Sequence, residues 1–448
     1  MPGERERLSA SDASNVVMDS PDQVNVPLVV GVLGVGGFVS AGGEADVDLL
    51  RADLAARLGG SPSPGLVRFA QRVQDDGRSL VWEDCRPDLT WHVRLAAPVD
   101  GLDGLAGLAA TLMTSPLPLD RPLWELLIVP GAGAGGPGMI LRAHHCVADG
   151  VAGVRLLQHL FGDGASPGTG PGVPAAAPAP ATEPPQRRPR WKTVATGVTR
   201  VSSIFRATVP PTVLLGPIGP RRGVAFADIE LEPLARAAKR VGATVNDALL
   251  AAVTVAAEAA LRADGHPVPP VLPASVPVAL PGRGASGNAV GVMLVPLATG
   301  GPDSVPRLTR IAALTRAAKA EARAQGTFEL TRTRWGSRLF AWLARRQRFI
   351  ALFVTNVRGP DQSLTVAGAP LERMWPVAVI QGNVRFGVAA MSYTGRLGVA
   401  VHVDARALRA PVAGRALGDE LARIATPVAP PVPSLPEEGR DEARPIAP

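Results

Sequence analysis

The chain has 448 residues, of which 46% are hydrophobic and 19% charged, and its formal net charge at pH 7 is +7. This length and hydrophobic content exclude a disordered or fibrous protein and allow two ordinary domains, each with its own core. The positive charge favours an anionic partner, such as a lipid surface or a phosphate-bearing substrate. Nucleic acid is disfavoured, because only 4% of the residues are aromatic and stacking surfaces are scarce.

The two cysteines, Cys85 and Cys146, are far apart in the sequence, and the first residues do not form a basic and then apolar signal peptide. We therefore expect a cytoplasmic protein. No uninterrupted apolar run reaches the roughly 18 to 20 residues that span a bilayer, because Gly, Pro or Arg interrupts each candidate. The sequence thus predicts no integral membrane segment.

The first part of the chain predicts alternating strands and helices. Strands are expected at Trp124–Val129 and at 139–145, and the residues between them are almost entirely Gly and Ala, which suits a hairpin connection. Apolar residues then recur at helical spacing over 151–160. This mixture indicates α/β layers and argues against an all-helical or all-strand fold.

The segment 164–190 consists mainly of Pro, Gly and Ala and is typical of a linker between two halves. Beyond it, strands are expected at 289–297 and Phe386–Tyr393, and a helix at 247–261. We therefore expect an N-terminal domain, a linker with an amphipathic helix, a C-terminal domain and a disordered tail, over 1–163, 164–222, 223–425 and 426–448.

Two short motifs of other enzyme classes are better explained by chance. Gly131, Gly133 and Gly136 spell the dinucleotide-binding pattern G-x-G-x-x-G, but a strand follows them, so no helix N-terminus is available to hold a pyrophosphate. The lipase pattern G-x-S-x-G at 164–168 lies in the Pro-rich linker, where no strand-turn-helix can form.

The segment H-H-C-V-A-D-G at 144–150 carries the candidate chemistry. The predicted strand runs into His144 and His145, and because adjacent strand residues face opposite ways, one histidine can face a cleft while the other faces the core. Asp149 stands before the next helix, where a carboxylate caps backbone N–H groups, and Gly150 relaxes the turn. The alternative is a pair of partly buried histidines with a structural role only.

The pattern H-H-x-x-x-D-G resembles the active-site motif of the superfamily of condensation domains and chloramphenicol acetyltransferase. The rest of the chain resembles bacterial wax ester synthase/acyl-CoA:diacylglycerol acyltransferases over about residues 7–425, and the shared order of motifs is more specific than any one of them. These motifs lie at 8–12, 82–84, 118–125, 244–247, 276–278, 287–288, 356–360 and 392–395.

Three features depart from the family pattern. The P-L-D-R-P-L-W-E segment at 118–125 is two residues shorter than usual, Arg358 stands where a proline is common, and the arginine that usually follows the V-P-V strand is displaced to Arg283. These departures bear on acceptor preference and ion pairing and leave the expected fold and reaction class unchanged.

The resemblance implies an α/β fold of two chloramphenicol-acetyltransferase-like domains, with mixed sheets flanked by helices and a tunnel at the domain interface. It implies an O-acyltransferase that moves a long-chain acyl group from acyl-CoA to diacylglycerol or a long-chain alcohol. Acyl-CoA is then a co-substrate, and neither a cofactor nor a metal is expected. Two rivals stay open: a condensation-type enzyme that uses carrier-bound acyl groups, and a non-catalytic lipid-binding member.

The resemblance also implies residue roles. An alcohol needs a base to act as a nucleophile at neutral pH, and an imidazole, whose ordinary pKa is about 6.5, can accept its proton. By the resemblance, the second histidine of the motif, His145, has that role. His144 supports position or packing. Asp149 is expected to point away from the base and to pair with an arginine, for which Arg283 is the candidate. Cys146 is expected to be a small buried residue and not a nucleophile.

The donor that stabilises the tetrahedral oxyanion is open between two asparagines. Asn246 is one candidate, but the turn T-V-N-D at 244–247 also forms a capping box at a helix start. Asn356, at the end of a predicted strand, has the same ambiguity.

Two segments combine apolar and aromatic residues with arginines at helical spacing, at 191–205 and 332–353. Each either lies on an anionic lipid surface, such as the inner membrane or a lipid droplet, or packs on its own domain.

Overall fold

A computed structural model describes residues 5–59, 62–133, 135–148, 150–162, 209–279, 290–301, 304–325 and 334–426. Most of the predicted linker and of the predicted tail lies outside these residues. The described helices are α1 Ala10–Met18, α2 Val47–Leu58, α3 Leu89–His92, α4 Gly101–Leu112, α5 Gly150–Phe161, α6 Leu231–Arg240, α7 Val245–Ala263, α8 Ser304–Gln325, α9 Arg334–Ala344 and α10 Ala410–Ala425.

The described strands form one three-stranded sheet and two mixed six-stranded sheets. In the first part of the chain they are β1 Glu6–Arg7, β2 Leu28–Leu33, β3 Gln71–Asp75, β4 Leu80–Asp84, β5 Val93–Leu95, β6 Trp124–Val129 and β7 Gly138–Ala143. In the second they are β8 Arg222–Glu230, β9 Val271–Ala279, β10 Val290–Ala298, β11 Leu352–Arg358, β12 Thr365–Val366, β13 Ala369–Val377, β14 Phe386–Tyr393 and β15 Arg396–Asp404.

The first six-stranded sheet has the order β12-β13-β2-β7-β6-β5, so β2 lies between β7 and β13, a strand from the second half of the chain. Strand β13 pairs antiparallel with β2, with Leu371 opposite Leu33 and Val377 opposite Leu28. The N-terminal half is therefore completed by residues that follow it by more than two hundred positions.

The second six-stranded sheet has the order β10-β9-β11-β14-β15-β8. Helices α7 and α10 contribute to its core, which includes Leu250, Val253, Val354, Val388 and Leu417. Helix α7 is buried over most of its length and starts at a capping box, in which Thr244 and Asp247 satisfy each other's backbone N–H groups. The expected mixed sheets with flanking helices are confirmed.

Helix α4 and strand β8 make a second contact between the two halves of the chain. The rings of Phe226 and Trp375 stack at 4.9 Å. Asp228 on β8 accepts a hydrogen bond from the Trp375 indole N–H at 3.1 Å and pairs with Arg373. Residues of both halves thus share one buried cluster, which includes Leu105, Ala109, Val224 and Trp375.

The sequence places the principal elements closely but misplaces two ends. Strands β6 and β14 have the predicted bounds, and α5 and α7 exceed their predictions by one or two residues at each end. The strand predicted at 139–145 ends at Ala143, because the N–H groups of the next two residues bond to Leu123 and Asn25 instead of continuing the ladder. The predicted helical segment at 332–353 contains α9 and then enters β11.

Among the described residues, no single helix has the length and apolar composition needed to cross a membrane. Helices α6 and α7 meet that test only as a pair, and they are bent by 96° relative to each other.

Candidate active site

A cavity of about 370 Å³ lies between the two six-stranded sheets. One wall comes from β2, β7 and α5, the other from β9, β11 and β14, and the residues after β13 close a side. Most of the lining is apolar, for example Leu28, Leu141, Leu156, Phe353 and Met391. In the described part of the chain, the polar side chains on this wall belong to His145, Ser275 and Thr355.

His145 lies on the cavity wall in a half-buried position just beyond β7. Its backbone N–H donates to the carbonyl oxygen of Asn25 at 3.0 Å, which draws the residue out of the strand. Its ring Nδ1 lies 3.5 Å from the side-chain Nδ2 of Asn15 in α1. The imidazole therefore faces the cavity from a backbone held by the N-terminal segment.

His144 has the opposite environment, with 1% of its surface exposed. Its Nδ1 accepts the backbone N–H of Cys146 at 3.1 Å, and the Cys146 Sγ lies 3.0 Å from the same nitrogen. Its Nε2 is 3.3 Å from Oδ2 of Asp19. Because Nδ1 acts as an acceptor, the neutral ring carries its proton on Nε2, facing the carboxylate.

The Cys146 side chain points into a separate apolar cluster with Val26, Val73, Trp82 and Leu123. Burial raises the pKa of its thiol well above the usual range, so the thiol stays protonated. Cys146 is therefore placed as a buried core residue outside the cavity wall.

Asn25 connects both histidines to the second half of the chain. It is fully buried, and its backbone N–H donates to Oδ1 of Asp19 at 2.9 Å. Its side-chain Oδ1 accepts a hydrogen bond from Gln381 Nε2 at 2.9 Å. Nearby, the Gln23 side chain exchanges two hydrogen bonds with the backbone of Gly382, at 2.8 and 2.9 Å.

Strand β7 is anchored from its other face by a buried ion pair. Arg142, two positions before His144, pairs with Glu125 at 2.8 Å, and both side chains are almost completely buried. Burial, together with the nearby Arg94, lowers the pKa of Arg142 to about 10. The Arg142 guanidinium also donates to the carbonyl oxygens of Leu112 and Ser115. This anchor fixes the strand end from which the motif starts.

The remaining predicted residues of the motif are only partly described. Gly150 begins α5 and lines the cavity, and a Cβ added there would lie 3.1 Å from Val357 Cγ2 of β11. The small residue thus lets α5 approach the second sheet. Asp149 and Arg283 lie outside the described residues.

The two asparagines proposed as oxyanion donors do not belong to the described cavity wall. Asn246 is the second residue of α7, half-buried in the turn closed by the capping box. Asn356 lies within β11, one position after Thr355, so its side chain leaves the opposite face of the strand.

Sequence reasoning missed the two hydroxyl side chains of the wall. Thr355 shares its face of β11 with Phe353 and with Val357, which abuts Gly150. Ser275 on β9 pairs in register with Phe353, so the hydroxyls lie on adjacent strands of one sheet. Strand alternation around residue 355 was the available signal for Thr355, but nothing local marks Ser275.

Sequence reasoning also missed the residues that hold the histidines. Asn15, Asp19 and Asn25 belong to the N-terminal 25 residues, and Gln381 follows β13. Their partners are 130 positions away for Asn15 and 356 positions away for Asn25. No local pattern in the sequence can indicate such contacts.

The fold is shared with solved structures of known acyltransferases and condensation domains. A wax ester synthase/diacylglycerol acyltransferase from Marinobacter aquaeolei VT8 aligns with a TM-score of 0.68 at 20% identity, over 93% of this chain and 98% of that one. The first condensation domain of the CDA synthetase aligns with a TM-score of 0.57 at 15% identity, over 95% and 97%. The fold is thus that of the condensation-domain and chloramphenicol-acetyltransferase-like class.

Sequence comparisons narrow the class further. Residues 8–210 match the wax ester synthase/diacylglycerol acyltransferase catalytic domain, and residues 286–421 match the C-terminal domain of the same family. A protein of Mycobacterium tuberculosis (strain ATCC 25618 / H37Rv), provisionally named a diacylglycerol O-acyltransferase, is 31% identical, and the alignment covers 88% of this chain and 85% of that protein. The chain belongs to the wax ester synthase/diacylglycerol acyltransferase family and is an acyltransferase.

Proposed function

We propose that this acyltransferase moves a long-chain fatty acyl group from acyl-CoA to the hydroxyl of diacylglycerol or of a long-chain alcohol. The observation that carries the proposal is the largely apolar cavity between the sheets, with the imidazole of His145 on its wall. His145 is the general base, and no covalent acyl-enzyme and no cofactor takes part.

In this mechanism the His145 imidazole takes the proton from the hydroxyl of the acceptor alcohol, while the oxygen of that alcohol attacks the thioester carbonyl carbon. A C–O bond forms, and the carbonyl oxygen carries the negative charge of the tetrahedral intermediate. The C–S bond then breaks, and the imidazolium returns the proton to the CoA thiolate. Thr355 and Ser275 are the hydroxyl donors that face the cavity, and we assign Thr355 to the oxyanion because its strand face adjoins Gly150.

The lining of the cavity supports a long-chain substrate. Burial of each methylene group stabilises a complex by about 0.8 kcal/mol. The apolar surface also continues out of the cavity along the edge strand β10, where Val292 is 57% exposed and Leu294 is 42% exposed. An acyl chain longer than the enclosed space thus has apolar surface to follow.

We further propose that the protein is cytoplasmic and works at the surface of an anionic membrane or lipid droplet. Helix α9 supports this location, because Trp342 is 48% exposed and the Arg346 guanidinium lies 4.3 Å from its ring. Exposed tryptophan with neighbouring arginines is the composition that interfacial helices use.

Product analysis of the purified protein tests the proposed function. Palmitoyl-CoA is offered with diolein or with hexadecanol, and CoA release and ester formation are followed together. We expect triacylglycerol or wax ester in amounts equal to the CoA released. Palmitoyl-carrier protein in place of palmitoyl-CoA tests the condensation-type alternative. The proposal is contradicted if ester forms with palmitoyl-carrier protein but not with palmitoyl-CoA, or if neither donor gives product.

A further inference from the structure

One side chain of the N-terminal helix α1, that of Asn15, lies beside the ring of the proposed base. Asn15 lies on the part of α1 that faces the histidine motif, and its amide Nδ2 is 3.5 Å from Nδ1 of His145. The backbone of the same histidine is held by Asn25, so ring and backbone are supported by two residues of one N-terminal segment.

The orientation of the Asn25 amide is fixed by its neighbours. Its NH₂ group donates to the backbone carbonyl of Asn15 at 3.1 Å and to Oδ1 of the Asn15 side chain at 3.2 Å. Its oxygen is occupied by the donor from Gln381 at 2.9 Å. An amide so placed turns the carbonyl end of Asn15 toward itself and the NH₂ end toward His145.

We propose that Asn15 is a positioning residue that sets the rotation of the His145 ring through Nδ1 and so directs Nε2 toward the acceptor hydroxyl. This inference rests on the proposed function, in which His145 is the base. Asparagine suits the task because its amide can donate or accept. The contact from the Asn15 NH₂ group to Nδ1 orients the His145 ring in the tautomer whose Nδ1 carries a lone pair.

Proton uptake at Nε2 requires the proton of the neutral ring to sit on Nδ1, where an acceptor must face it. A half-turn of the Asn15 amide presents Oδ1 to that N–H. The turn replaces the side-chain bond from Asn25 with two NH₂ groups that face each other, and the Asn25 NH₂ keeps the Asn15 backbone carbonyl as its acceptor. The same side chain therefore supports the ring in both tautomers without moving α1.

The test compares two substitutions of Asn15 in the full-length protein. Asn15→Leu keeps the size of the side chain and removes every hydrogen bond, whereas Asn15→Asp keeps an acceptor for Nδ1–H. We expect Asn15→Leu to lower kcat at least tenfold with KM for palmitoyl-CoA within about twofold, because a misaligned base acts on the reaction step and not on binding. Asn15→Asp is expected to restore kcat to within about threefold of wild type.

Ser14→Ala is the matched control, since Ser14 is buried on the same helix and its hydroxyl has no hydrogen-bond partner among the described residues. We expect wild-type kcat for this variant. Equal losses in Asn15→Leu and Asn15→Asp that follow a common fall in melting temperature would overturn the inference, as would an unchanged kcat in Asn15→Leu.

Measuring His145→Ala in parallel separates this inference from the proposed function. If His145→Ala abolishes turnover and Asn15→Leu retains it, the positioning role of Asn15 is wrong and the base assignment stands. If His145→Ala keeps wild-type turnover, both are wrong.

Discussion

Two adjacent histidines in this chain occupy environments that differ in almost every respect. His144 is buried, and both of its ring nitrogens face protein groups, from Cys146 on one side and Asp19 on the other. His145 is half-buried, lines an apolar cavity and is approached by the neutral amide of Asn15. One residue of backbone therefore separates a side chain built into the core from one that a substrate can reach.

The difference shows how a strand end can carry chemistry. Strand β7 stops at Ala143, and the backbone of each histidine is then held by a different partner, Leu123 for the first and Asn25 for the second. The core-facing ring fixes the turn, so that the cavity-facing ring does not depend on substrate for its position.

The sharpest test of the contrast is removal of the cavity-facing ring of His145. His145→Ala is expected to lower acyl transfer by at least about 10²-fold, because a general base typically contributes that much. The melting temperature should stay near that of wild type, since the side chain faces a cavity. CoA release assays and thermal melts on the same preparation measure both. Turnover within a few-fold of wild type in a folded variant would contradict the assignment.

Two other buried histidines extend the contrast to stability. Burial lowers the pKa of His92 and of His402 to about 4, whereas an unfolded chain has a histidine pKa near 6.5. Below pH 6.5 the unfolded state binds more protons, so this stability is present above that pH and is lost as pH falls toward 4. Between pH 7.5 and 5 we expect a loss of roughly 2 kcal/mol per histidine.

Urea unfolding of wild type and His402→Gln at the two pH values measures this term. The variant should lose less stability on acidification than wild type. The same pH dependence in both proteins would show that His402 is not held neutral.

Removal of the buried ring should damage the fold more than the chemistry. His144→Ala removes the ring that faces Asp19 Oδ2 and leaves the Cys146 N–H without its acceptor, and such a loss costs about 1 to 3 kcal/mol. We expect a lower urea midpoint, with kcat reduced less than in His145→Ala. A stable His144→Ala protein without activity would give His144 a chemical role.

Across the cavity, Thr355 offers a milder perturbation of the same chemistry. Thr355→Val keeps the shape of the side chain and removes the proposed oxyanion donor. A loss of about tenfold in kcat is expected, at the low end for such donors because the nearby Ser275 hydroxyl remains. Steady-state kinetics with palmitoyl-CoA decide, and Ser275→Ala serves as the comparison. A wild-type kcat in Thr355→Val would show that Thr355 is not the oxyanion donor.

The smallest effect is expected at Cys146, which packs beside the buried ring of His144. Cys146→Ala removes one buried atom beside His144 and should cost about 1 kcal/mol of stability, with activity within twofold of wild type. Activity and unfolding curves give both values. Mass spectrometry that finds an acyl group on Cys146 during turnover would overturn the mechanism without an acyl-enzyme.

The sequence was informative where a signal is local. The bounds of Trp124–Val129 and Phe386–Tyr393 follow from apolar runs, and the start of α7 follows from the turn at 244–247. Because side chains alternate between the two faces of a strand, the sequence also predicts that the two histidines after β7 point in opposite directions, one toward a cavity and one toward the core. The catalytic roles of His145, Asn246 and Asn356 stay predictions.

What escaped prediction depends on contacts between distant residues. Ala369–Val377 is an unremarkable strand by composition, and nothing in it indicates pairing with Leu28–Leu33. Asn15 and Asn25 are ordinary polar residues until the fold brings the motif next to them. Ser275 reaches the cavity only because β9 and β11 are neighbours in the second sheet.

The insertion of β13 beside β2 has a consequence for how the polypeptide matures on the ribosome. Until residue 377 has been synthesised, the backbone N–H and C=O groups along one side of β2 lack their final partner, and an open strand edge invites pairing with other chains. The first sheet is therefore finished late, and a fragment that stops at residue 210 would keep that edge open. The first sheet therefore needs strands from both matched family segments, because β2 lies in the first and β13 in the second.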